Sequence, residues 1–103
     1  MKLDPNNHFE AILIAMAEIH RSKGGDYASP EDRYSNFRET AEHIGSYPWI
    51  TNEVMIQTKQ SRIKQLLRKW LNDESPNNES LRDSLIDRAV YSVIGVILFD
   101  EEN

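Results

Sequence analysis

A chain of 103 residues is long enough for one compact domain with one modest core. Its 17 acidic against 12 basic residues leave a net charge of −5, which argues against general nucleic-acid binding through a basic surface but leaves room for a local basic pocket. The absence of cysteine excludes disulfides, thiol catalysis and cysteine-ligated zinc. No apolar run approaches the ~18 residues that a membrane span requires. The opening MKLDPNNH is polar, with no secretory apolar segment. The expectation is a soluble protein of a reducing cytoplasm, with no membrane partner.

Four segments have helical periodicity, and no strand alternation competes with them. The first runs from about Asn7 to Lys23, where Phe9, Ile12, Leu13, Met16, Ile19 and His20 fall on one face expected to be buried. Gly24-Gly25 should stop it. After the loop GGDYASP, Ser29 makes a good N-cap and Pro30 a good first helical residue, with Glu31 and Asp32 favourably placed on the helix dipole. This second helix should reach about Ile44 and end at Gly45, packing along the narrow stripe of Tyr34, Phe37, Ala41 and Ile44. Ser46 to Ile50 reads as a linker, and Thr51 as the cap of a third helix from about Asn52 to Asn72.

The third helix offers Ile56, Lys59, Ile63, Leu66, Leu67, Trp70 and Leu71 as its face, with a lysine in the middle of an apolar register. NDESPNN is a loop. The fourth helix covers about Glu79 to Asp100. It is amphipathic at first and apolar nearly all round in its second half. Its C-terminal acids oppose the dipole, so the last turn is expected to fray. The fold class is therefore all-α, a four-helix bundle-like single domain. The apolar second half of the last helix needs more cover than three short neighbours give, which predicts a homodimer or higher homo-oligomer. Gly95 inside that helix costs roughly 1 kcal/mol against alanine, offset by close helix approach.

Glu79, Asp83, Asp87 and Tyr91 recur every four residues and share one face of the fourth helix. Lys59 and Arg62 form a basic pair on the third. A carboxylate row opposite a basic pair would suit metal-bound phosphates: carboxylates take Mg²⁺ through one or two oxygens and several waters, and Lys or Arg takes the phosphate oxygens. Plainer roles compete. Ser80 to Asp83 fits a capping box, with Asp83 reaching back to the helix start. Asp87 paired with Arg88 or Lys59 would be an ion pair at a core edge, and Tyr91 would be a core aromatic. Arg82, Arg88, Lys64, Arg68 and Lys69 read as solvated faces. His8, His20 and His43 form no constellation, though His20 and His43 suit helix C-termini. In the loop, Tyr27 either plugs the end of the bundle or stacks on a base or sugar while Asp26 contacts a hydroxyl or metal.

The ordered motifs KGGDYASPEDRYSNF, K-x-x-R-I and DSLIDRAVY resemble a family of small, phage-associated, all-helical proteins, some of them labelled nucleotide modification associated. The likeness covers about Lys23 to Tyr91. It marks Asp26, Tyr27, Pro30, Asn36, Phe37, Lys59, Arg62, Asp83, Asp87 and Tyr91. Ala28 stands where that family usually has glycine. More distantly the chain is similar to the all-α nucleoside triphosphate pyrophosphohydrolases of the MazG type, whose helix-borne acids bind Mg²⁺, although here E-x-x-x-D-x-x-x-D replaces their E-x-x-E and E-x-x-D. The resemblance implies a phage-type nucleotide-handling protein. Mg²⁺ on Asp83, Asp87 and Glu79 would activate water, and Lys59, Arg62, Asp26, Tyr27 and Tyr91 would hold a nucleotide. The alternative is a non-catalytic protein that sequesters a nucleotide or nucleotide-derived signal, or one that engages a host protein. A third reading has the charged row merely fixing helix register.

Overall fold

The computed structural model describes residues 1–23, 34–72, 74 and 78–103. Over those residues the protein is all-α, with no strand and four helices: α1 (His8–Ser22), α2 (Ser35–Ile44), α3 (Pro48–Leu71) and α4 (Asn78–Glu102). They fall into two compact units, Met1–Asn36 and Phe37–Asn103. Among the described residues no helix is long and apolar enough to cross a membrane. The Ser29-Pro30 helix start and the Asp26-Tyr27 loop lie outside the described residues.

In the first unit, α1 begins where Asn7 accepts a hydrogen bond from the Glu10 amide at 3.0 Å, satisfying one orphan donor of the first turn. Lys23 closes the other end by donating its amide to Ile19 O. The expected boundaries hold, but the expected buried face does not. No residue of α1 is buried, and Phe9 is 73% exposed. An apolar stripe is buried only where another element lies on it. Within this unit Tyr34 shares a 2.9 Å hydrogen bond with His20 Nε2.

The second unit carries the core. Helix α2 ends as expected at Gly45, which adopts φ +70°, a conformation that glycine takes without a Cβ penalty. The Ser46 amide reaches Ala41 O at 2.8 Å and the Gly45 amide reaches Glu42 O at 3.4 Å, the pair of bonds that terminates a helix in a Schellman motif. Helix α3 then starts earlier than expected. Tyr47 is its N-cap residue and Pro48 its first helical residue, a position where a missing N–H costs nothing. Thr51 is thus no cap. It and Asn52 are buried inside the helix.

Helices α3 and α4 pack along their length in one antiparallel register. Trp49 meets Phe99 edge-to-face at 5.5 Å, Asn52 lies against Gly95, Lys59 bonds Asp87 and Arg62 bonds Ser84. Each step forward on α3 is matched by a comparable step back on α4. Extending that register sets Trp70 and Leu71 beyond the first turn of α4, so these two members of the expected face are exposed, as is Leu67. Inward from α4 come Ile86, Val90, Tyr91, Ile94 and Leu98, joined in the core by Phe37 and Ala41 of α2. Full burial of an aliphatic side chain such as Ile94 or Leu98 contributes roughly 1.5–3 kcal/mol. Phe37 packs edge-to-face on Tyr91 at 6.2 Å between ring centres, a preferred aromatic geometry.

Two expectations for α4 are corrected. Ser80 lies inside the helix, which starts at Asn78, so Ser80 and Asp83 do not stand at the N-cap and third positions of a capping box. The last turn is helical through Glu102 rather than frayed. Asn103 donates its side chain to Phe99 O at 2.9 Å, and Arg38 pairs with Glu101 at 2.8 Å. These contacts offset the unfavourable meeting of acid and dipole.

The helices approach closely at Gly95, where an added Cβ would stand 2.9 Å from Asn52 Nδ2. Asn52 has no exposed surface, and the same nitrogen donates to Tyr91 O at 2.8 Å, so the amide cannot swing aside without losing that bond. Gly95→Ala should therefore destabilise the protein by about 1–2 kcal/mol in urea titration, overpacking outweighing the gain in helix propensity. In an Asn52→Ala background the same substitution should instead stabilise.

Candidate functional site

The residues from which a site can be built lie midway along α3 and α4. Lys59 occupies the core-facing register of α3 because the spacing from Asn52 and Ile56 places it there. A flexible lysine stem can lie along apolar surface while its ammonium reaches polar partners. Those partners come from two successive turns of α4. Lys59 Nζ lies 2.9 Å from Asp87 Oδ2, and 5.2 Å from the centre of the Tyr91 ring. The side chains retain 24% and 16% of their exposure respectively, so the pair is neither buried in the core nor free in water. A cation over an aromatic face adds roughly 0.5–2 kcal/mol, more as water is excluded.

One turn further, the exposed Arg62 donates from Nε to Ser84 Oγ at 3.3 Å. On the flank, Arg88 donates to Gln60 Oε1 at 3.1 Å. The structure thus joins Lys59, Asp87 and Tyr91 into one cluster, with Arg62 beside it on Ser84. It does not join all the expected acids. Glu79 and Asp83 are exposed, and among the described residues no three His, Cys, Asp or Glu side chains gather as a metal-binding group. Asp26 and Tyr27 lie outside the described residues. Tyr91 is buried, with Phe37 on its edge and Lys59 over its ring. It therefore holds the lysine in place and has no open face for a base.

Several participants were not singled out in the sequence. Ser84 and Gln60 are small or neutral residues whose roles depend on facing Arg62 and Arg88, which spacing within one helix does not reveal. Arg88, expected on a solvated face, is half-buried and bonded across to α3. Asn52 had a signal. Pro48 marks the start of a helix, and counting from Pro48 places Asn52 on the inward face. His20, which suits a helix C-terminus, also makes a tertiary contact within the first unit through its bond to Tyr34.

No protein family, no curated protein and no solved structure matches the chain. The chemistry of the cluster is therefore argued from its own geometry. Lysine carries three donors, and the carboxylate of Asp87 takes one direction of approach. Arginine presents a rigid planar fork suited to carboxylate or phosphate. With Asp87 set against Lys59, the Arg62 guanidinium leaves one net positive charge at this edge of the helix seam on an acidic chain. In a double-mutant cycle, Lys59→Met and Asp87→Asn should couple by about 1 kcal/mol in chemical denaturation, the scale for a partly buried pair. Strict additivity would mean that the 2.9 Å contact contributes nothing to stability.

Proposed function

We propose that this is a nucleotide-handling protein that binds the phosphates of a nucleotide or nucleotide-derived small molecule at Lys59 and Arg62. The observation that supports this reading is the placement of the Lys59 ammonium. It is held by Asp87 and the Tyr91 ring at the mouth of the α3–α4 seam, with the Arg62 guanidinium one turn away. An ammonium fixed in this way loses little further freedom on meeting an anion, and preorganisation of that kind raises affinity. Arg62 supplies bidentate contacts to phosphate oxygens. Recognition is through phosphate, since the Tyr91 ring is already covered. The motif resemblance to phage-associated helical proteins points the same way, to a cytoplasmic protein acting on nucleotides during infection.

Of the two nucleotide readings, the non-catalytic one is favoured by a specific contact. The Asp87 carboxylate is neutralised by Lys59, and a carboxylate so engaged is a poorer ligand for a hard cation. Magnesium-dependent phosphoanhydride hydrolysis of the MazG type, on Asp83, Asp87 and Glu79, is the rival that one experiment separates.

Thermal denaturation with a panel of nucleoside mono-, di- and triphosphates, each with Mg²⁺ or with EDTA, distinguishes them. A ligand at about ten times its Kd contributes about 1.4 kcal/mol, which raises Tm by several degrees in a domain of this size. The expected result is stabilisation that survives EDTA and is lost in the Lys59→Ala, Arg62→Ala pair. Stabilisation only with Mg²⁺, accompanied by pyrophosphate release above an Asp87→Asn control, would establish the hydrolase instead. A ligand response unchanged in the Lys59→Ala, Arg62→Ala pair would leave the charged row a purely structural role.

A further inference from the structure

The outer face of α4 is apolar and complementary to itself. Arg82, Leu85, Ala89, Val93, Val96 and Asp100 recur at steps of three and four residues, so they form one row along the helix. This row lies opposite the one that turns inward through Ser84, Asp87, Tyr91, Ile94 and Leu98. Its larger members are uncovered, Leu85 41% exposed, Val93 50% and Val96 60%, with Ala89 half-buried between them and Arg82 and Asp100 exposed at the ends. The two charges stand five helical turns apart, about 27 Å, with only apolar residues of the row between them.

We propose that this row is the two-fold contact of a homodimer, in which α4 packs antiparallel against α4 of a second copy. The charges select the occupant and the orientation. With the axis at the middle of the row, Arg82 faces the partner's Asp100, and Asp100 faces the partner's Arg82. Between these ends Leu85 lies against the partner's Val96, and Ala89 against the partner's Val93. A two-fold contact requires this self-complementarity, in which residue i meets j and j meets i. Parallel packing would instead set arginine on arginine and aspartate on aspartate.

Charge elsewhere on the molecule points to the same face. Each chain carries a net −5, so two copies repel over most of their surfaces. Along this row one positive and one negative residue cancel. The small side chain of Ala89, at the middle of the row, permits close backbone approach. The apolar surface also continues past Val96 to the exposed Phe99, on the rim of a groove of about 260 Å³ that Trp49, Glu53 and Ile56 complete from α3. This inference is independent of the phosphate site, which lies on the inward side of α4.

Sedimentation velocity at micromolar concentration tests it. The intact protein should sediment at twice its 12.0 kDa chain mass. Val93→Glu with Val96→Glu should give the single-chain mass with an unchanged helical circular dichroism spectrum, since both positions are exposed. Arg82→Glu alone should weaken dimerisation several-fold, and Arg82→Glu with Asp100→Lys should restore it. A monomeric wild-type protein, or a dimer indifferent to the glutamates, would overturn the proposal. Failure of the double charge reversal to restore association would overturn the antiparallel orientation.

Discussion

The second unit depends on how closely α3 and α4 can approach, and a single buried amide sets that distance. Asn52 has no exposed surface and donates to the Tyr91 carbonyl of the opposite helix, while Gly95 leaves the space in which the amide sits. The arrangement carries a cost. Asn52 Oδ1 and the neighbouring Thr51 Oγ1 are buried without a hydrogen-bond partner, and an unmet buried polar atom costs about 1–3 kcal/mol. A leucine at position 52 would avoid that cost but would also pack at several registers. A polar residue that is satisfied in one alignment only specifies that alignment, as a buried asparagine does in coiled coils.

Register then places the charged residues. With Asn52 fixed against Tyr91 and Gly95, Lys59 comes to Asp87 and Arg62 comes to Ser84. A slip of one residue on either helix would turn Lys59 away from its carboxylate, and a half-buried ammonium without a partner is strongly disfavoured. The polar contacts at Asn52, near one end of the seam, and at Lys59 and Arg62, midway along it, therefore enforce the same alignment. The structural reading of the charged row and the binding reading are compatible, because a lysine held rigid for register is also held rigid for an anion.

Much of this was legible in the sequence. The all-α class, the span of α1 between Asn7 and Lys23, and the end of α2 at Gly45 follow from caps and periodicity, which are local. A lysine within an apolar register announced that a partner lay across the interface, and Asp87 was one of two carboxylates one turn apart that could supply it. What failed was non-local. The stripe on α1 has the right spacing but no buried residue, since periodicity describes a face without saying what covers it. The face of α3 was drawn too far, because Trp70 and Leu71 reach beyond the start of α4. Thr51 does not cap α3 because Pro48, expected in the linker, is the first residue of the helix. The acidic row on α4 is continuous by spacing, but Glu79 and Asp83 sit in its solvated first turns while Asp87 reaches the seam.

On the binding reading, the polar seam of α3 and α4 is where the protein meets its ligand. A ¹H–¹⁵N correlation spectrum recorded during titration with a nucleoside triphosphate in EDTA tests it residue by residue. Perturbations should concentrate at Lys59, Arg62, Ser84 and Asp87 and fade toward Asn52 and Gly95. Saturable shifts centred elsewhere, or a spectrum that does not change at millimolar nucleotide, would contradict it.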